Sequence, residues 1–335
     1  MARKLLLFLL VLGLALSVQM YRFAQTPVPL RAGRASFVVM PGSTLSAIIA
    51  RQQQAGVLPA GRLAAAEFRL LAVLLHDAGQ LKAGLYVLDA PLTPLQLLRK
   101  MVRGEVTPLQ IRFIEGWTFA QIRAALDASP WLRHDTAGMS DAQIMAAMGL
   151  SGASPEGWFF PSTYDIDLGG SDLSVLRRAH AMMLQRLGEA WSGRSPGLPY
   201  ASETDALVMA SIIEKETGNA VERPLVASVF VNRLRLHMRL QTDPTVIYGL
   251  GPAFDGNLRK IDLETDTPYN TYTRTGLPPT PIAMPGLASI EAAVHPATSD
   301  DLYFVSRGDG THVFSARLAD HNRAVLRYQK SHRGE

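Results

Sequence analysis

Cysteine is absent from the 335 residues. That excludes disulfides, thiolate zinc sites, iron–sulfur clusters, a cysteine nucleophile and a lipidated N-terminal cysteine, and it is compatible with an oxidising compartment. Charge is sparse: 19% of residues are charged, and Lys plus Arg at 33 against Asp plus Glu at 29 leaves +4 spread along the chain. So small an excess suits an anionic surface but makes no case for nucleic acid. His-Glu-x-x-His and Gly-x-Ser-x-Gly do not occur, which argues against a zinc protease and a serine hydrolase elbow. The eight histidines are scattered, so no metal site is expected, and His295 and His312 read as loop or core residues. What the chain does have is 47% apolar residues, enough for a sizeable core and too many for global disorder. Its length suggests about two domains.

Only one apolar run is long enough to matter for a membrane. Leu5 to Tyr21 is interrupted only by Ser17 and Gln19, and as a helix it spans about 26 Å, slightly short of a ~30 Å hydrocarbon core. The alternative, a cleaved signal peptide, finds only poor sites such as Ala15-Leu16-Ser17. Arg3 and Lys4 ahead of the run favour an internal N-terminus, although Arg22 just after it weakens the contrast. The expectation is a transmembrane anchor over 1–21, a Pro-containing linker over 22–35, and the body of the chain on the far side, in a bacterium the periplasm.

A loose echo follows. Phe37–Met40 reads as a strand leading through Pro41-Gly42-Ser43-Thr44 to a helix at Leu45. Leu85–Leu88 leads to Thr93 as N-cap, Pro94 at the first helical position, and Leu95. Ile111–Ile114 leads to Thr118 and a helix with Phe119. Strand, threonine cap and short helix suggest a small α/β module of LysM-like type over 36–112, with Leu45, Leu95 and Phe119 buried. Coincidence among short amphipathic helices is the alternative.

From 113 to about 200 the chain reads mostly helical, around the aromatic loop Glu156-Gly157-Trp158-Phe159-Phe160-Pro161, whose rings belong either to a core or to a cleft. Ala206 to Ile213 is apolar except for Ser211, so that helix is expected to be buried nearly all round. It runs into Glu214-Lys215-Glu216-Thr217-Gly218, and Gly218 suits a C′ position. A carboxyl there is desolvated and sits at the negative helix end. Both effects favour the protonated form that a general acid needs. Glu216 shares a face with Met209, Ile212 and Ile213, while Glu214 lies about 200° away with Leu207 and Ala210. Position does not choose between them, and the alternative is that both simply mark a solvated helix end.

Downstream come loops dense in Pro and Gly that carry polar and aromatic residues: Arg239 to Gly249, Asp262-Leu263-Glu264-Thr265, Pro268 to Tyr272, and Gly276 to Ile282. Binding residues concentrate on such loops, and Tyr, Asn and Gln suit sugar faces and hydroxyls. Together, Ala210-Ser211-Ile212-Ile213-Glu214-Lys215-Glu216-Thr217, Arg239-Leu240-Gln241-Thr242-Asp243-Pro244-Thr245-Val246-Ile247-Tyr248-Gly249, Tyr269-Asn270-Thr271-Tyr272, Gly276-Leu277-Pro278-Pro279 and His295-Pro296-Ala297 resemble the endolytic murein transglycosylases, the MltG or YceG-like family. Lys82-Ala83-Gly84-Leu85-Tyr86, the aromatic loop and the anchor extend the resemblance along nearly the whole chain. Phe160 and Ser162-Thr163 depart from the Trp and Asp-Thr common in relatives.

The resemblance implies an α+β protein: a transmembrane helix, a LysM-like subdomain and a mixed α/β catalytic domain over 113–335. It implies a single-pass protein of the bacterial inner membrane, with a cytoplasmic N-terminus and a periplasmic body. The activity implied is cleavage inside peptidoglycan strands, between N-acetylmuramic acid and N-acetylglucosamine, leaving a 1,6-anhydro end. No cofactor is implied. Glycan strands are the partner, with peptidoglycan synthases of the elongation or division machinery as further candidates. The family's catalytic glutamate falls on Glu216. Gln241, Asp243, Tyr248, Asn270 and Tyr272 are expected to line the substrate cleft, and Glu214 is a possible second carboxylate. Asp243, Asp262 and Glu264 are read as structural or sugar-binding. One carboxylate suffices for such a reaction because the sugar's own C6 hydroxyl replaces the water that glycosidases activate. A non-catalytic glycan-binding scaffold and a hydrolytic muramidase are the competing readings.

Overall fold

A computed structural model describes residues 2–30 and 33–330. Arg31 and Ala32 of the expected linker, Met1, and residues 331–335 lie outside the described residues. The chain divides into two compact units, one formed by Met1–Gln110 with Trp131–Arg133 and Asp165–Gly170, the other by Ile111–Pro130, His134–Tyr164 and Ser171–Glu335.

In the first unit the N-terminal helix runs Ala2–Gln25, past the expected end at Tyr21. It continues because Ala24 is buried, and Met20 and Phe23 pack against the module's core. The residues from Arg3 to Gln25 are long and apolar enough to cross a membrane, and Leu5 to Val18 stay exposed. Strand Ala35–Val39 pairs antiparallel with strand Gly84–Leu88. Phe37 stacks on Tyr86 across the pair, with ring centres 5.2 Å apart. Between the strands lie two helices, Leu45–Gln54 and Arg62–Leu74, and after them comes Pro94–Arg103. The order is therefore strand, helix, helix, strand, helix. The second helix had no place in the expected echo, because Arg62 to Leu74 has apolar residues on nearly every side and shows no clean period.

The threonine caps form as the spacing predicts. Thr44 Oγ1 accepts from the Ala47 amide at 3.3 Å. Thr93 and Gln96 satisfy each other's backbone amides at 3.1 and 2.9 Å, with Pro94 opening the helix, an arrangement worth about 1 kcal/mol per cap. Leu45 and Leu95 are only half-buried against the core, since side chains at the first two helical positions still face the helix end. Ile48, Ile49, Leu97 and Leu98 are the fully buried residues.

The second unit is built around helix Glu203–Glu216, on which every residue from Ala206 to Ile213 is buried. Helices Asp172–Ser192, Arg223–Arg235, Asp243–Leu250 and Leu287–Val294 pack around it. Each Leu or Ile so buried contributes roughly 1.5–3 kcal/mol. Its one internal polar group is satisfied: Ser211 Oγ donates to the Val208 carbonyl and accepts from the Ile282 amide at 3.0 Å. The stretch expected to be mostly helical holds only Phe119–Asp127, Asp141–Ala147 and Asp172–Ser192 as helices, separated by turns. In the aromatic loop Phe159 is fully buried and stacks on Phe119 at 5.0 Å, and Trp158 and Phe160 pack against the main core, so these rings are structural. A hairpin of strands Tyr303–Ser306 and His312–Ser315 follows, then helix Leu318–Val325.

Candidate active site

Helix Glu203–Glu216 starts with Ser202 capping the Asp205 amide. It ends at Glu216, where Thr217 turns extended (φ −143°, ψ 132°). The chain leaves the helix through this extended threonine and not through a left-handed glycine. That directs Glu216 into an open cavity of about 540 Å³, lined also by Arg233, Gln241, Asp243, Tyr272 and His312.

Glu216 is half-buried, and its carboxyl is pushed up to about 7. Burial is the largest cause, as the buried helix anticipates. A hydrogen bond from the Thr242 hydroxyl to Oε1 pulls the other way. The charge of Asp243 raises it again, and His312 and Arg233 lower it. The result is a carboxyl that exchanges its proton near neutrality, as one group acting first as acid and then as base requires.

Thr242 is held by its neighbours. Its amide donates to Thr271 Oγ1 at 3.0 Å, and Thr245 Oγ1 donates to its carbonyl at 2.7 Å. All three threonines are buried. Beside it Gln241 adopts φ +49°, a sparsely populated conformation for a residue with a side chain, and its amide donates to the Thr271 carbonyl at 3.1 Å. Tyr272 donates its hydroxyl to Asp243 at 2.5 Å.

Glu214 lies elsewhere. Its Oε2 accepts from the Gly286 amide at 3.0 Å and the Ser289 hydroxyl at 2.7 Å, and its Oε1 pairs with Arg223 at 3.5 Å. It clamps the start of helix Leu287–Val294 and is not among the residues lining the cavity. Tyr248 and Asn270 are also not in the lining. Tyr248 donates to the buried Glu156 at 3.2 Å and packs edge-on against Tyr269. Asn270 is fully buried, its amide donating to the carbonyls of Asp262, Leu263 and Thr265. Both side chains find core partners for their polar atoms, which draws them inward. Asp262 and Glu264, on the short helix Lys260–Glu264, are likewise outside the cavity.

Three residues of the site escaped the sequence reading. Thr242 sits inside a motif already singled out, but its hydroxyl role depends on where the helix ends. Arg233 is buried, and its guanidinium donates to the carbonyls of Leu302 and Leu240, both at 2.7 Å, tying the hairpin to the loop that carries Gln241. A cation beside the apolar stretch Val226–Val231 was a visible signal. His312, expected as loop or core, lines the cavity, with Nδ1 2.8 Å from Glu222, whose other oxygen takes the His312 amide. These partners are far apart in sequence, and nothing local marks them.

A carboxyl pushed up to about 7 at the end of a buried helix, facing an open cavity edged with Tyr, Gln and Asp, is the equipment of a proton-transfer site for a large polar ligand. A model of the YceG-like family matches residues 37–327, and the chain belongs to that family. It is similar to the endolytic murein transglycosylase of Bacillus subtilis, 42% identical over 52% of this chain and 48% of that protein. The endolytic murein transglycosylase of Streptococcus pneumoniae is 30% identical over 75% of this chain and 51% of that protein. The chain thus spans about half the length of the curated relatives it matches. A crystal structure of a YceG-like protein from Listeria monocytogenes superposes with a TM-score of 0.56 at 32% identity, covering 87% of this chain and 99% of that one.

Proposed function

We propose that the protein is an endolytic lytic transglycosylase. It cuts the β-1,4 bond from N-acetylmuramic acid to N-acetylglucosamine within peptidoglycan strands and leaves 1,6-anhydro-muramyl ends. The observation that carries this reading is Glu216: a carboxyl pushed up to about 7 that opens into a large cavity, in a chain whose relatives bear that activity's name. Protonated Glu216 gives its proton to the glycosidic oxygen, and the C1–O bond breaks. The C6 hydroxyl of the same muramyl ring then closes on C1 while ionised Glu216 takes its proton. The acid is regenerated and no water is consumed. Thr242 orients the carboxyl, and Asp243, held by Tyr272, faces the positive charge that develops on the sugar. Gln241 reads ring hydroxyls.

In this reading the N-terminal helix anchors the protein in the bacterial inner membrane, N-terminus in the cytoplasm and body in the periplasm. The strand–helix–helix–strand module is a LysM-like element that spaces the enzyme from the membrane or holds glycan, and peptidoglycan synthases are its natural neighbours. Incubation of the purified protein with sacculi, followed by mass spectrometry of the muropeptides, tests the activity. Anhydro ends are expected. Reducing ends mean a hydrolase, and intact strands mean a binding scaffold.

A further inference from the structure

Helix Arg62–Leu74 buries one face and leaves the other bare. Ala64, Phe68, Leu71 and Ala72 are in the core, while Leu63, Leu70, Val73 and Leu74 are between 50% and 68% exposed. At helical spacing these four form one stripe with Ala66; the exposed Arg62 and Arg69 both lie along one edge of it, and Glu67 lies along the other. Single exposed apolar residues need no explanation, but a contiguous stripe on a short helix does. Leu75, the next residue, is 42% exposed and lengthens it.

This helix packs against the N-terminal helix. The contact falls where the anchor stops being bare: Gln19 donates its amide to Glu67 Oε1 of helix Arg62–Leu74 at 2.8 Å, and beyond Gln19 the anchor turns into the module's core through Met20, Phe23 and Ala24. The bare apolar part of the anchor, Leu5 to Val18, is therefore only about 21 Å long, well short of a ~30 Å hydrocarbon core. A short span draws whatever adjoins it toward the bilayer. What adjoins it is a helix with an outward leucine stripe, arginines along one edge and Glu67, bonded to Gln19, along the other; an apolar face bordered by cations suits a membrane interface with the cations at anionic headgroups.

We propose that the Leu63–Leu70–Leu74 face of this helix lies in the headgroup–acyl boundary of the bilayer that holds the anchor, fixing the module flat against the membrane. The proposal rests on the reading of the N-terminal helix as a membrane anchor. The module is then a membrane-seated collar, not a free spacer.

The absence of cysteine makes the test clean. Four single variants of the full chain, Leu10→Cys, Leu70→Cys, Leu74→Cys and Ile261→Cys, carry a bimane probe in nanodiscs of phosphatidylethanolamine and phosphatidylglycerol with or without brominated acyl chains. Ile261 is 62% exposed and lies on the short helix of the other unit, outside the proposed face. The expected result is that probes at 10, 70 and 74 lose most of their emission in brominated lipid, while the probe at 261 keeps it. Quenching at 10 with bright, water-like emission at 70 and 74 overturns the proposal and leaves the anchor standing. Blue-shifted but unquenched emission at 70 and 74 means that protein, a second copy or a partner, covers the face, and also overturns it. Equal quenching at 261 removes the specificity the proposal needs. No quenching at 10 removes the anchor itself, and the proposal with it.

Discussion

The last turn of helix Glu203–Glu216 has two sides, and each carries a glutamate. On one side Glu214 is locked by two hydrogen bonds and an arginine. On the other, Glu216 meets a single hydroxyl and a cavity. The two share residue type and the last turn of one helix. What differs is the density of donors around each. Where donors abound, the carboxylate serves as a structural clamp. Where they are scarce and burial remains, the carboxyl is pushed up to about 7 and the group is available for proton transfer.

The sharpest way to break this contrast is Glu216→Gln. It is expected to lower formation of anhydro-muropeptides by about 10²–10⁴-fold, because the amide neither gives nor takes the proton, with thermal stability at neutral pH kept or raised. Activity within a few-fold of the parent protein would move the chemistry off this residue. The same variant carries a pH signature. The raised pKa of Glu216 means that the folded state holds the proton more tightly than the unfolded chain. The associated stability is fully present below about 4.5 and is lost as pH rises through about 7. That corresponds to up to about 3 kcal/mol. Denaturant titrations across this window are expected to show a slope in the parent protein that Glu216→Gln flattens.

Glu214→Gln is expected to do the opposite: a stability loss of about 1–3 kcal/mol from an arginine and two donors left poorly matched, with activity per folded molecule close to normal. A catalytic loss at full stability would erase the distinction between the two sides. Thr242→Val comes next. Its hydroxyl lowers the Glu216 pKa, so its removal is expected to shift the basic limb of the pH–rate profile upward and cut activity about tenfold, the worth of one hydrogen bond of ~1.4 kcal/mol. The smallest pair compares two tyrosines. Tyr272→Phe frees Asp243 and is expected to slow turnover several-fold, while Tyr248→Phe, which loses only a bond to buried Glu156, is expected to cost about 1 kcal/mol of stability and leave kcat unchanged.

How far the sequence revealed this arrangement depends on whether a residue's partners lie nearby in the chain. Thr44, Thr93 and Thr118 were readable as caps because a cap and its amide are three residues apart. For Thr118 the bond is the return one, from its own amide to Gln121 at 2.9 Å. The buried helix was readable because eight residues without a polar face admit no other place. The stretch around the aromatic loop was less so: short turns and strands there depend on pairing between distant segments. The internal partners of Tyr248 and Asn270 were not legible, because a Tyr or Asn on a Gly/Pro-rich loop looks the same whether its polar atoms meet substrate, a buried carboxylate or backbone carbonyls.

The sequence by itself determined the apolar N-terminal helix, the caps, the buried helix and the presence of two carboxyls at its end, since each follows from a pattern within one continuous segment. Only the tertiary structure decided which carboxyl remained free. It did so by bringing Gly286 and Ser289 to Glu214, and Thr242, Arg233 and His312 to the surroundings of Glu216, across 17 to 96 positions of chain. Electrostatic environment is set by distance in space, and over such separations local pattern carries no information about it.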